Sequence, residues 1–156
     1  MNEQYAEKIT TFPLFAGHTV HGAKILLDYG DVRVYEPGEV LCREGDAPTF
    51  AMLVLDGKVQ VFVDRGGRTL VLTEAGPGTI LGELALLSGI PRSASMRASE
   101  KLAALHWEQK AFRRMLLGNA FLSERILGQS LRMLIERERD LIESLQKARG
   151  NQTAGS

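Results

Sequence analysis

Residues 81–96 read Leu81-Gly82-Glu83-Leu84-Ala85-Leu86-Leu87-Ser88-Gly89-Ile90-Pro91-Arg92-Ser93-Ala94-Ser95-Met96. This stretch holds the parts of an anion site in a workable order. Gly82 has no Cβ, so the backbone there can approach a ligand closely. Glu83 to Leu87 predicts a short helix whose free N–H groups point back at that glycine, and a helix N-terminus of this kind holds phosphate well. Pro91 stiffens the return of the chain. Arg92 then offers a planar fork of donors shaped for two phosphate oxygens, with the Ser93 hydroxyl beside it. Glu83 is the odd member. A phosphate repels a carboxylate, so Glu83 should face a neutral hydrogen-bond donor such as a sugar hydroxyl. Each residue has a plainer role when taken alone: a turn glycine, a solvated arginine, a glutamate favoured by the helix dipole. Together they describe a pocket for one phosphate and one ribose.

The flanks of this stretch are β-rich. From Asp31 to Trp107 short runs of valine, leucine and threonine alternate with glycine turns. The runs are 32–36, 40–43, 50–55, 59–63, 70–73, 93–98 and 102–105. The turns are Pro37-Gly38, Gly45-Asp46, Asp56-Gly57, Arg65-Gly66-Gly67 and Gly76-Pro77-Gly78. Even spacing of this kind indicates an all-β sandwich or barrel. Asp56-Gly57 carries a tight-hairpin signal. Val59, Val61 and Val63 alternate with Gln60 and Phe62, so one face of that strand should look inward.

Helical texture brackets the β region. Residues 3–30 mix helix with irregular chain, and Thr19 is placed to cap a helix running to about Leu27. After Trp107, Lys110 to Leu117 predicts one helix, stopped by Gly118-Asn119. A longer one runs from about Phe121 to Lys147. Its Leu127, Leu131, Leu134, Leu141 and Leu145 fall at heptad spacing, with Glu138 as the one break. The plainer alternative is a helix that buries this stripe on its own β domain. The tail from residue 148 to 156 is small and polar and reads as disordered.

Composition removes several function classes. The chain has 156 residues, enough for one domain with a real core, and a formal net charge of zero, which gives no general attraction to nucleic acid or membrane. Cys42 is the one cysteine, so no internal disulfide forms, which suits a reducing compartment. No signal peptide and no bilayer-spanning apolar run is present, and the expected location is cytoplasmic. A jelly-roll of this kind is also used for metal, but His18, His21 and His106 form no ligand cluster, so no metal site or cofactor is expected. Cys42, Ser88, Ser93 and Ser95 lack a patterned base, and nothing asks for an enzyme.

Gly82-Glu83-Leu84-Ala85 followed by Pro91-Arg92-Ser93-Ala94-Ser95 resembles the phosphate-binding cassette of the cyclic nucleotide-binding domain family. That family includes the catabolite activator protein, protein kinase A regulatory subunits and cyclic nucleotide-gated channels. The β-region glycines and the Phe12-Pro13-Leu14-Phe15 lead-in resemble the family too, so the likeness runs from about Phe12 to about Leu145. The resemblance implies a mainly β fold with flanking helices: a β-roll, or double-stranded β-helix, at 31–107, N-terminal helices at 1–30 and two C-terminal helices at 108–147. It gives Glu83 to the ribose 2′-OH, Arg92 to the cyclic phosphate and the Ala85 backbone to the same anion, with Gly82, Leu84, Ser93 and Ala94 completing the cassette. By position, the lid over the base falls near Met133 to Arg137, with Met133 and Arg137 as its candidate contacts. The later part of the long helix pairs with a second subunit in the family, implying a homodimer.

The leading expectation is a cyclic nucleotide sensor that signals by moving its C-terminal helices. Threonine after the arginine goes with cyclic GMP in the family, and Ser93 stands there, so 3′,5′-cyclic AMP is favoured and cyclic GMP is the alternative ligand. Too few residues follow Leu145 for a helix-turn-helix, so no DNA is expected as a partner. Two other readings stay open: a β-roll that serves only dimerisation or protein interaction, and a regulatory module of a larger effector.

Overall fold

A computed structural model describes residues 2–154. Helix α1 (Asn2–Thr10) leads through a 3-10 turn (Pro13–Phe15) to α2 (Val20–Asp28). The β region follows as β1 (Asp31–Tyr35), β2 (Val40–Cys42), β3 (Phe50–Asp56), β4 (Val59–Arg65), β5 (Arg68–Ala75) and β6 (Ile80–Leu81). Helix α3 (Glu83–Ser88) interrupts it before β7 (Ser95–Ala98) and β8 (Leu102–Glu108), and α4 (Gln109–Gly118) and α5 (Ala120–Ala154) complete the order. The strands form two four-stranded antiparallel sheets, β1-β8-β3-β6 and β2-β7-β4-β5. This is the β-roll with flanking helices that the sequence implied.

In the first sheet β3 and β8 are covered on both faces, which explains their nearly continuous apolar sequence. Ala51, Leu53 and Leu55 of β3, with Ala103, Leu105 and Trp107 of β8, pack against Phe15, Leu26, Phe112, Leu122 and Ile126 of the helical layer. The alternate residues Met52, Val54, Leu102 and Ala104 face the second sheet, against Cys42, Val59, Met96 and Ala98. The Trp107 indole N–H donates to the Leu26 carbonyl at 3.0 Å and pins α2 to the roll. Thr19 caps α2 by accepting from the Gly22 N–H at 3.0 Å. Cys42 is buried between the sheets.

Several expectations change. Asp56-Gly57 is not a hairpin. It carries the chain from β3 in one sheet to β4 in the other, which do not pair. Gly57 is required there all the same: its φ is +86°, and a Cβ would lie 2.1 Å from the Lys101 carbonyl oxygen. The hairpin is β4–β5, turning at Gly66-Gly67 with φ of +59° and +77°. Val59 and Val61 pack on the inner core as the alternation implied, while Phe62, outside that core, is buried under the Arg97 guanidinium, whose Cζ lies 4.6 Å from its ring centre. Strand β7 begins at Ser95 rather than Ser93, and Ile80–Leu81 forms a strand by pairing with β3.

The tail is corrected as well. Helix α5 runs on to Ala154 instead of giving way at residue 148, and residues 155 and 156 lie outside those described. Gln146, Lys147, Ala148 and Arg149 are good helix formers. One Gly150 costs about 1 kcal/mol relative to alanine, too little on its own to end an established helix. The leucine stripe does not lie on the β-roll: Leu131, Leu141 and Leu145 are each about 60% exposed, and Leu127 and Leu134 are also exposed.

Candidate functional site

Short β6 pairs with β3, Leu81 opposite Met52, and so delivers Gly82 to a fixed point above the roll. Gly82 turns the chain into α3 with φ +81°, and Gly89 ends that helix with φ +75°. Inside α3, Leu86 N–H donates to the Gly82 carbonyl at 3.1 Å. The N–H groups of Glu83, Leu84 and Ala85 precede the first intrahelical bond and are free to meet a ligand. The return strand is anchored through its backbone. Arg92 N–H donates to the Asp46 carbonyl at 2.9 Å, and the Gly45 N–H donates to the Arg92 carbonyl at 2.8 Å. Ser95 Oγ accepts from the Glu44 N–H at 2.9 Å.

Arg92 is only 5% exposed. Its Nη1 donates to the Gly82 carbonyl at 3.1 Å and its Nη2 to the Phe50 carbonyl, while its Cζ sits 4.8 Å above the centre of the Phe50 ring. Among the described residues no carboxylate pairs with it, and its Nε has no hydrogen-bond partner. Burial therefore pulls the guanidinium below its ordinary pKa, partly offset by the nearby Glu83 and Asp46 carboxylates. A buried cation without a counter-ion is costly and favours a bound anion. Gly82 has a sharper reason than closeness to a ligand: a Cβ there would lie 2.4 Å from Arg92 Nη1.

Glu83 is 6% exposed and points across to the long helix. Ser130 Oγ, on α5, donates to Glu83 Oε1 at 2.7 Å and lies 3.0 Å from the Ile126 carbonyl. Helix α4 holds the other end of α3: Gln109 Nε2 donates to the Leu86 carbonyl at 3.2 Å and Arg113 Nη2 to the Leu87 carbonyl at 3.3 Å.

All the residues singled out in the sequence line one cavity of about 220 Å³: Gly82, Glu83, Leu84, Ala85, Arg92, Ser93, Ala94, Met133 and Arg137. Val61, Ile80, Leu81, Met96, Ser130 and Leu134 complete the wall and were not anticipated. Ser130 had a legible signal. It is three residues before Met133 and seven before Arg137, so the three share one helix face. The cavity is thus polar along α3 and at Arg92, and apolar where Val61, Met96 and Met133 face it. Among the described residues no cluster of histidine, cysteine or carboxylate groups is arranged to hold a metal, and no helix is long and apolar enough to cross a membrane.

His106 is a buried group outside this cavity. It is 4% exposed, with Nε2 3.1 Å from the Tyr35 hydroxyl and Nδ1 unpartnered. Burial pushes its pKa down to about 4, helped by the nearby Arg33 charge.

Comparison with known proteins completes the picture. The sequence profile described as "Cyclic nucleotide-binding domain" matches residues 32–119, more than half of the chain. The cyclic AMP receptor protein of Thermus thermophilus is 37% identical over 89 residues, covering 56% of this chain and 41% of that protein. The acetyltransferase Pat of Mycolicibacterium smegmatis is 38% identical over 77 residues, covering 49% of this chain and 23% of that one. The crystal structure of the Thermus thermophilus catabolite activator protein superposes with a TM-score of 0.75 at 30% identity, over 86% of this chain and 63% of that one. The chain spans less than half the length of the curated relatives it matches.

Proposed function

This chain belongs to the cyclic nucleotide-binding domain family, and we propose that it works as a sensor of 3′,5′-cyclic AMP in the cytoplasm, signalling through α4 and α5. The family's domain is regulatory rather than catalytic. The observation that supports the ligand best is Arg92: a buried guanidinium with no carboxylate partner, beside a helix N-terminus, in a cavity shared with Glu83. An anion with one negative charge satisfies the guanidinium. Glu83 excludes a second phosphate and accepts from a sugar hydroxyl. The cyclic phosphate docks on Arg92 and the N–H groups of Leu84 and Ala85, the ribose 2′-OH on Glu83, and the base against Met133.

Signal transfer follows from differential affinity, because a ligand shifts only an equilibrium whose states it binds unequally. Glu83 and Met133 belong to α3 and α5, so a ligand touching both favours one spacing of the two helices. Gln109 and Arg113 give the same ligand a second route, through α4.

Titration of the purified protein with cyclic AMP and cyclic GMP tests the reading. Removing a buried charged partner costs about 2–5 kcal/mol, so Arg92→Ala should weaken binding by one or more orders of magnitude. Arg92→Lys should not fully restore it, since a lysine cannot supply the planar fork. Unchanged affinity in Arg92→Ala rejects the site. Base preference should be modest. Met133 offers contact area but almost no hydrogen bonding, and Ser93 and Arg137 are exposed. Cyclic AMP is expected to bind more tightly than cyclic GMP by about tenfold or less, at most ~1.4 kcal/mol.

A second feature favours assembly. The stripe Leu127, Leu131, Leu134, Leu141 and Leu145 keeps heptad spacing and is 40–61% exposed, which supports a homodimer through α5. The curated relatives carry the matched segment inside much longer chains, which supports a role as the regulatory module of a larger effector.

A further inference from the structure

We infer that Ser130 is the positioning residue for Glu83, fixing the carboxylate for a ribose hydroxyl and tying α5 directly to the sugar subsite. The inference rests on the cyclic nucleotide reading above. Ser130 is 3% exposed and Glu83 6%, so neither relies on bulk water for its hydrogen bonds. Among the described residues, Glu83 has no cation within ion-pair distance, and the side-chain donor that reaches it is Ser130. A buried carboxylate without donors is costly, so this one bond decides which way the group is held.

The serine hydroxyl has one proton and two acceptors within reach, Glu83 Oε1 at 2.7 Å and the Ile126 carbonyl at 3.0 Å. The charged, nearer oxygen takes the proton, because hydrogen bonds to ionised acceptors are shorter and stronger. Oε1 is then engaged and Oε2 remains as the acceptor for a ligand hydroxyl. Glu83 is the first residue of α3, and Ser130 lies on the face of α5 that carries Met133 and Arg137. A sugar hydroxyl bound to Glu83 is therefore one carboxylate away from α5. If α5 withdraws, the hydroxyl turns to the Ile126 carbonyl and leaves no orphaned donor on the serine. The bond can thus open and close with helix movement at little cost to the serine.

The test compares cyclic AMP with 2′-deoxy cyclic AMP on wild type, Ser130→Ala, Glu83→Ala and the double variant, by titration calorimetry, with melting curves to confirm folding. Wild type should favour cyclic AMP by about tenfold, the worth of one hydrogen bond to a charged group. Ser130→Ala should reduce this preference to about threefold or less by weakening cyclic AMP while leaving the 2′-deoxy analogue nearly unchanged. In the Glu83→Ala background, Ser130→Ala should change cyclic AMP affinity by less than about twofold, since residues that act as a unit are non-additive. A Ser130→Ala protein that keeps the full preference, or that loses both ligands equally, overturns the assignment while leaving the nucleotide reading intact. Wild type that binds neither nucleotide overturns both.

Discussion

Gly82→Ala separates the two reasons for a glycine at the head of the cassette. Two costs follow from the geometry. The backbone φ of +81° is left-handed, and an alanine held there costs about 1–2 kcal/mol of stability. The new Cβ would also lie 2.4 Å from Arg92 Nη1 and 3.2 Å from the Phe50 carbonyl oxygen. Arg92 Nη1 is the far end of a flexible side chain, so it moves aside cheaply and adds little to the folding cost. The cost appears in binding instead. The guanidinium leaves the Gly82 carbonyl and, with it, the position from which it meets a phosphate. Losing that contact is worth about 2–5 kcal/mol, or roughly 30-fold or more in affinity. The expected result is a folded protein with a small drop in melting temperature and a large loss of cyclic AMP affinity. Gly82→Ala combined with Arg92→Ala should bind no worse than Arg92→Ala alone, because one contact is lost in both. Calorimetry on the three variants reads this directly. A Gly82→Ala protein that binds like wild type refutes the claim that the glycine serves the arginine.

Gly57→Ala should be far worse for stability than Gly82→Ala, since its Cβ would meet a backbone carbonyl 2.1 Å away that cannot move aside; a melting curve within a few degrees of wild type would contradict this. His106 supplies a pH dependence of defined sign: its folded pKa of about 4 lies below its ordinary 6.5, so its neutral form favours folding above pH 6.5 and that contribution is lost as pH falls to about 4. The loss is on the order of 2 kcal/mol at pH 5, so denaturant titrations at pH 7 and pH 5 should differ by less in His106→Gln than in wild type. For the proposed dimer, Leu141→Gln should leave the melting temperature of the β-roll nearly unchanged, because Leu141 is 61% exposed, yet light scattering should report monomers; a destabilised monomer would mean that the leucine packs within its own chain.

What the sequence disclosed and what it hid have physical causes. That Glu83, Arg92 and their neighbours line one cavity was legible because a glycine, a helix start and an arginine stand close together in the chain. The strands were legible because their glycine turns recur. Asp56-Gly57 misled because a crossing between sheets and a hairpin both ask for a left-handed residue; only the pairing of β4 with β5 and β7 distinguishes them. Ser130 was passed over because its partner is 47 positions away, and its one signal was its place on the helix face of Met133 and Arg137. The end of α5 escaped because Gly150, Asn151 and Thr153 are weak helix formers and resemble a tail, yet the helix continues to Ala154.

If the proposed ligand and the proposed dimer both form, the two faces of α5 couple them. Ile126, Ser130, Met133 and Arg137 fall on one stripe, which packs on the core and lines the cavity. Leu127, Leu131, Leu134, Glu138, Leu141 and Leu145 fall on a second stripe displaced by one residue, about 100° around the axis. Leu134 touches both, lining the cavity while remaining 43% exposed. A 35-residue helix is roughly 50 Å long, so it reaches well beyond the cavity. Any turn of α5 that seats Met133 on a base also turns the leucine stripe by the same angle. In the proposed dimer that angle alters the pairing of the two seams, where the Glu138 side chains would face each other at a position that disfavours charge. In that proposal ligand and partner would act on one rotation of one helix. By linkage, whichever way cyclic AMP shifts the dimer equilibrium, dimerisation must shift cyclic AMP affinity by the same factor.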